Sequence, residues 1–266
     1  MKANLFVAVS LLTGCAVDAD TDSVEQHTAL HTILLPAGGT GQNRVVMNAF
    51  EPLVVTLSHV DGVPIGGQMI TFTSPAGGAT AALPFDGMAE TDSEGRAELR
   101  PTANRRTGTY LVWAHADGAE PMPFVLTNRA GAPTTVLPIL GRNQATYFGA
   151  AFEQPLTVEV QDFYSNRVED AEVEFVAPSS GPSARVSDRT RVTTVTDDEG
   201  RASVFAVANG EPGMYTVIAM VVGATNEVPF VLSNLDPADS SWRRQVVQNA
   251  TADSYEQPGT ATIVTH

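Results

Sequence analysis

Five histidines, one cysteine and two acidic turns are the residues of this 266-residue chain whose types could carry chemistry. His27, His31, His59, His115 and His266 are scattered along it. His27 and His31 alone have the spacing of a ligand pair, and they lie in a polar stretch that reads as disordered, so no zinc site is expected. The turns Thr91-Asp92-Ser93-Glu94-Gly95 and Thr196-Asp197-Asp198-Glu199-Gly200 each offer a few carboxylates. Calcium takes about six to eight converging oxygens. Both turns are therefore read as hairpin turns whose Asp bonds its own backbone. There is no Gly-x-Ser-x-Gly elbow to expose a serine nucleophile. Cys15 is the single thiol, so an intramolecular disulfide is excluded. No catalytic constellation and no cofactor site emerges, and an enzyme is not expected.

Composition bounds what remains. The chain is 43% hydrophobic and 17% charged, as a folded protein is, and its 22 Gly and 17 Pro favour turns over long helices. Fifteen basic residues face 30 acidic ones, and Lys2 is the only lysine. A nucleic-acid partner would need a basic face, and none is visible; a polybasic membrane patch is absent too. The acidity is read as a solubility device.

The unit that positions side chains is repeated once. Thr91-Asp92-Ser93-Glu94-Gly95-Arg96-Ala97 returns as Thr196-Asp197-Asp198-Glu199-Gly200-Arg201-Ala202, and Gly108-Thr109-Tyr110-Leu111-Val112 as Gly213-Met214-Tyr215-Thr216-Val217. Pro123-Phe124-Val125-Leu126-Thr127-Asn128 returns as Pro229-Phe230-Val231-Leu232-Ser233-Asn234. Within each copy the apolar period is two: Leu53, Val55, Leu57 in the first, Leu156, Val158, Val160 in the second. This is the pattern of strands with one buried face. About seven short strands per ~100 residues predict an all-β fold of two tandem immunoglobulin-like Greek-key β-sandwiches, at 33–128 and 133–234, joined by 129–132 as a stiff end-to-end pair. The paired Gly-x-Tyr predicts a tyrosine corner, with the hydroxyls of Tyr110 and Tyr215 turned back to a nearby backbone group. Tyr110, Val112 and Ala114 then face inward. Leu111, Trp113 and His115 face outward, with Ile218 and Met220 on the matching face of the second copy: a candidate contact surface.

Both copies resemble the bacterial immunoglobulin-like domain of group 1, the repeat of invasin and intimin. The second copy carries the match in Phe152, Pro155-Leu156-x-Val158-x-Val160-x-Asp162, Ser165-Asn166, Val173-x-Phe175, Thr196-Asp197-x-x-Gly200-x-Ala202, Asn209, Gly213-x-Tyr215 and Phe230-x-Leu232-x-Asn234. The family has Gly-Asn where this copy has Ser165-Asn166, and the first copy departs further with Asp61-Gly62-Val63-Pro64. The resemblance covers roughly 33–234 and implies the sandwich fold and a surface role, spacer or adhesive.

The first residues resemble a lipoprotein signal. Lys2 is followed by the apolar run Leu5–Leu12, too short for a bilayer span of ~20 residues. Leu12-Thr13-Gly14-Cys15 is similar to the bacterial lipobox, which implies cleavage of 1–14 and acylation of Cys15 as the membrane anchor. Ala16 after the cysteine favours the outer membrane. Residues 15–32 read as acylated Cys and flexible tether, and 235–266 as a flexible C-terminal tail. The expected partner is a protein or polysaccharide at the cell envelope. A polysaccharide site would need exposed aromatics, and only Trp113 and Trp242 are offered. The alternative to an adhesive spacer is a binding module for such a ligand within a larger complex.

Overall fold

The computed structural model describes residues 32–238. Alternation along Leu53–His59 puts Leu53, Val55 and Leu57 on the core face, with Val54 buried on the other, and Leu156, Val158 and Val160 take the same places in the second copy. The first sandwich has ten strands. β1 (Thr32–Gly38), β3 (Leu53–His59) and β7 (Arg96–Leu99) form one sheet, in the order β1-β3-β7. β2 (Gln42–Val45), β4 (Met69–Thr73), β6 (Met88–Glu90), β9 (Gly108–His115) and β10 (Met122–Arg129) form the other, in the order β2-β10-β9-β4-β6. β5 (Ala81–Ala82) and β8 (Thr102–Ala103) make a small ribbon.

The second sandwich repeats this. β11 (Pro133–Leu140), β13 (Leu156–Asp162) and β17 (Arg201–Val204) face the sheet β12-β20-β19-β14-β16. The latter is built from β12 (Gln144–Tyr147), β14 (Glu172–Val176), β16 (Arg191–Val195), β19 (Gly213–Val221) and β20 (Val228–Leu235). β15 (Ala184–Val186) and β18 (Ala206–Ala208) form its ribbon. Each core is organised around phenylalanines: Phe72 and Phe124 lie 6.2 Å apart in the first, Phe175 and Phe230 6.2 Å apart in the second. Burying each is worth about 1.5–3 kcal/mol.

The expected seven strands per copy are thus exceeded. The first segment of each copy divides between the two sheets. β1 pairs with β3, the chain turns at Gly39, and β2 pairs in parallel with β10. β11, Gly141 and β12 do the same. Both glycines have φ near +89°, and a Cβ on either would run into the carbonyl oxygen of Pro52 or Pro155. A glutamine braces each switch: Gln42 donates to the Gly39 and Glu51 carbonyls, and Gln144 to those of Gly141 and Gln154. The acidic turns close as ordinary turns. Asp92 Oδ1 accepts from the Glu94 and Arg96 amides, and Asp197 Oδ1 from those of Glu199 and Arg201.

Candidate functional site

β9 places Tyr110, Val112 and Ala114 in the core and turns Leu111 and Trp113 outward, each 38% exposed, with His115 half-buried. Strand register assembles their neighbours. Leu111 stands opposite Val125, Trp113 lies between Pro123 and Thr73, and Thr71 lies between His115 and Met88. His115 Nε2 shares a 3.2 Å hydrogen bond with Thr73 Oγ1. Pro123 is tolerated because β2 joins β10 only from Leu126, so the preceding stretch is an edge. In the second sandwich Ile218 takes the place of Trp113, between Pro229 and Val176. Met220 lies beside Glu174, which is opposite Thr193. Ile218 and Met220 are half-buried by these neighbours. A groove of about 480 Å³, bordered by Glu172, Glu174, Met220, Val222 and Glu227, opens at the end of this row. Arg191 bonds Glu174 at 2.6 Å.

The opposite faces mix charged with apolar groups. There β3 and β7 present Thr56, Arg96 and Glu98, and β13 and β17 present Thr157, Glu159 and Arg201. Glu159 is buried and is held by Arg167 at 3.1 Å, with Arg201 at 3.9 Å. Apolar side chains are exposed on both outer faces: Ile33, Leu35, Leu137 and Leu140 on the edge strands of the three-stranded sheets, and Leu111, Trp113 and Val125 on the first five-stranded sheet. Alternation could have added Pro123, Val125 and Pro229 to the sequence expectation. Met88 and Val176 needed the cross-strand register.

Tyr110 and Tyr215 are buried in their cores, but their hydroxyls do not reach backbone. Each donates to a side chain at 2.9 Å, Tyr110 to Asn128 Oδ1 and Tyr215 to Asn234 Oδ1. The adjacent last strand offers a carboxamide in register, and it takes the place of the backbone acceptor. Burial pushes the Tyr110 hydroxyl up to about 12, partly offset by the Asn128 bond, and pushes Tyr215 up as well, for the same cause.

Among the described residues no group of three or more His, Cys, Asp or Glu could hold a metal. Cys15, His27, His31, His266, Trp242, the leader, the tether and all but the first residues of the tail lie outside the described residues. His59 ends β3, away from the Trp113 face.

Two stacked β-sheets in each of two equivalent copies, joined at 130–132, define the class: tandem immunoglobulin-like β-sandwiches. The chain is 23% identical over 258 residues to the inverse autotransporter adhesin YeeJ of Escherichia coli (strain K12), covering 90% of this chain and 10% of that protein. Among solved structures it is similar to InvD of Yersinia pseudotuberculosis (TM-score 0.50, 16% identity, 80% of this chain and 61% of that one). It is also similar to the Escherichia coli adhesin FdeC (TM-score 0.45, 16% identity, 79% and 65%). No family profile matches the chain. The likeness to InvD shows the shared fold, that of tandem immunoglobulin-like β-sandwiches, and YeeJ is an adhesin by name.

Proposed function

We propose that the chain is the folded part of a lipid-anchored bacterial surface protein, acting as spacer and contact module, with no catalytic role. It engages a protein partner through the outer faces of its five-stranded sheets. One observation carries the reading: Trp113 against Pro123 and Ile218 against Pro229 form apolar rows at equivalent places in both copies, on faces that a lone monomer has no need to keep apolar. The adhesin relatives support a surface role, and the chain spans about a tenth of YeeJ. Acylation of Cys15 supplies the anchor, in the outer membrane of the cell envelope.

Bacteria displaying the chain and its Trp113→Asp/Ile218→Asp variant test the contact face. Attachment to host cells is expected to fall with display level and melting temperature unchanged; equal attachment sinks the reading. A polysaccharide ligand is favoured instead if soluble envelope glycan competes away attachment and Trp113→Ala alone abolishes it. The anchor is tested separately: wild type incorporates labelled fatty acid and Cys15→Ser does not. Absence of label in wild type removes the lipoprotein reading.

A further inference from the structure

The two sandwiches meet across a three-residue connection, 130–132, and domains so joined move independently unless their interface is large and apolar. The side-chain hydrogen bonds across this joint are made by one carboxamide. An open cleft of about 420 Å³ lies between them, bordered by Gly78, Ala79, Arg106, Thr107, Ser165 and Arg167. What crosses it is polar. Asn166 Nδ2 donates to the Arg105 carbonyl at 2.8 Å, and Asn166 Oδ1 accepts from the Thr107 amide at 3.2 Å. One carboxamide thus bonds the first sandwich as the edge of a strand would. The Arg105 guanidinium also sits 6.0 Å from the centre of the Tyr164 ring.

Asp162, 3% exposed, holds this carboxamide in place. Its Oδ1 accepts from the Tyr164 and Asn166 amides, both at 2.8 Å. Its Oδ2 accepts from Asn166 Nδ2 at 2.9 Å and from the amide of Gly131, in the connection itself, at 2.8 Å. The carboxylate therefore ties the turn, the latch residue and the connecting chain to one point, and its own oxygens are satisfied by these donors.

The repeat supplies its own control. The turn after β3 has the same backbone as the turn after β13. His59 N bonds Val63 O and Gly62 N bonds His59 O, as Asp162 N bonds Asn166 O and Ser165 N bonds Asp162 O. Yet His59 stands where Asp162 is, and Val63 where Asn166 is. The loops before β9 and β19 also coincide: Asn104 Oδ1 accepts from the Arg106 amide as Asn209 Oδ1 does from that of Glu211. There Thr107, with its donor amide, corresponds to Pro212, which has none. Both copies keep these two loops, but the groups that bond across the joint stand only on the ends that face each other.

We propose that Asn166, positioned by Asp162, is a latch that fixes the second sandwich on the first and makes the pair one rigid unit. The proposal deepens the spacer reading and rests on it for its use, not for its geometry. The other copy names the test variants: Asn166→Val and Thr107→Pro each install a residue that the same turn already carries. Residual dipolar couplings of the full chain in a weakly aligning medium are the readout. Wild type is expected to show one alignment tensor for both sandwiches. Asn166→Val should show two, and Thr107→Pro, which spares the bond to Arg105, a smaller divergence, with amide shifts inside each sandwich retained. Two tensors in wild type, or a single shared tensor in both variants, overturns the latch. If Asn166→Val does not fold, Thr107→Pro decides alone. Attachment through Trp113 and Ile218 is measured separately, so failure of the contact face leaves this result intact.

Discussion

Asn128 and Asn234 are almost wholly buried, and each gathers the closing end of its sandwich. Asn234 Nδ2 reaches the Ser183 carbonyl, Asn209 Oδ1 and the Glu211 carbonyl at 2.9–3.1 Å, while Oδ1 accepts from Tyr215. Asn128 does the same with Thr80, Asn104 and Arg106. Tyr215→Phe keeps the ring and removes the donor to a buried oxygen. The expected loss is about 1–3 kcal/mol in a denaturant melt, the cost of a buried acceptor left unmet. The same groups give an alkaline signature. Below pH 10 both folded and unfolded tyrosines are protonated, and stability does not respond to them. Above pH 10 the unfolded tyrosine loses its proton while the folded Tyr110 holds it up to about 12, so the folded state binds more protons and stability falls as pH rises. The slope is about 1.4 kcal/mol per pH unit for each such group. The Tyr110→Phe/Tyr215→Phe variant is expected to have a flatter profile between pH 10 and 12. Parallel profiles would mean that neither hydroxyl resists ionisation. The tyrosines were legible in the sequence because Gly-x-Tyr recurs. Their acceptors were not, because Asn128 and Asn234 lie 18 and 19 residues further on and meet them only through strand register.

At the scale of the element, alternation was enough to find the core face of β3, β9, β13 and β19, since a one-residue slip would bury the wrong face, but it did not show that Val54, Thr157 and Glu159 on the other face are buried as well. It could not reveal β2 or β12. These are four-residue strands that pair in parallel with the last strand of the copy, and no local pattern encodes so distant a partner. What marks the switch is Gly39 and Gly141. Gly141→Ala places a Cβ at φ +89° against the Pro155 carbonyl, so it suffers both strain and collision. It is expected to cost more than about 1 kcal/mol. Gly149, with φ +80° and open space around it, provides the control, and Gly149→Ala should cost less in the same melt. Equal losses would show that backbone strain alone governs both sites and that the close approach at the switch does not matter. The contact face follows the same division. Leu111 and Trp113 were readable from alternation, whereas the row Pro229–Ile218–Val176 exists only once three strands are aligned.

The whole molecule has two cores, and each draws its buried residues from one sandwich alone: Leu34 to Leu126 in the first, Val136 to Leu232 in the second. A latch of hydrogen bonds sets orientation, but it does not merge the cores, because cooperativity follows the apolar surface that unfolding exposes in a single step. The acidic turns, the Tyr–Asn pairs and the glycine switches are likewise duplicated within copies and not shared between them. Each sandwich is therefore expected to melt as its own unit, giving two calorimetric transitions or one that resolves into two. Tyr110→Phe should lower only the transition of the first sandwich and Tyr215→Phe only that of the second. For units of this size each kcal/mol lost moves the midpoint by about 4–8 °C, so the shifts are easily separated. The double variant should show both shifts at their single-variant values, since the two sites share no partner. The contrary result is also informative. If Tyr110→Phe moves both transitions together, the joint carries enough energy to make the pair one cooperative unit. Asn166→Val should then restore two transitions, because it removes the carboxamide that bonds Arg105 and Thr107 without touching either core.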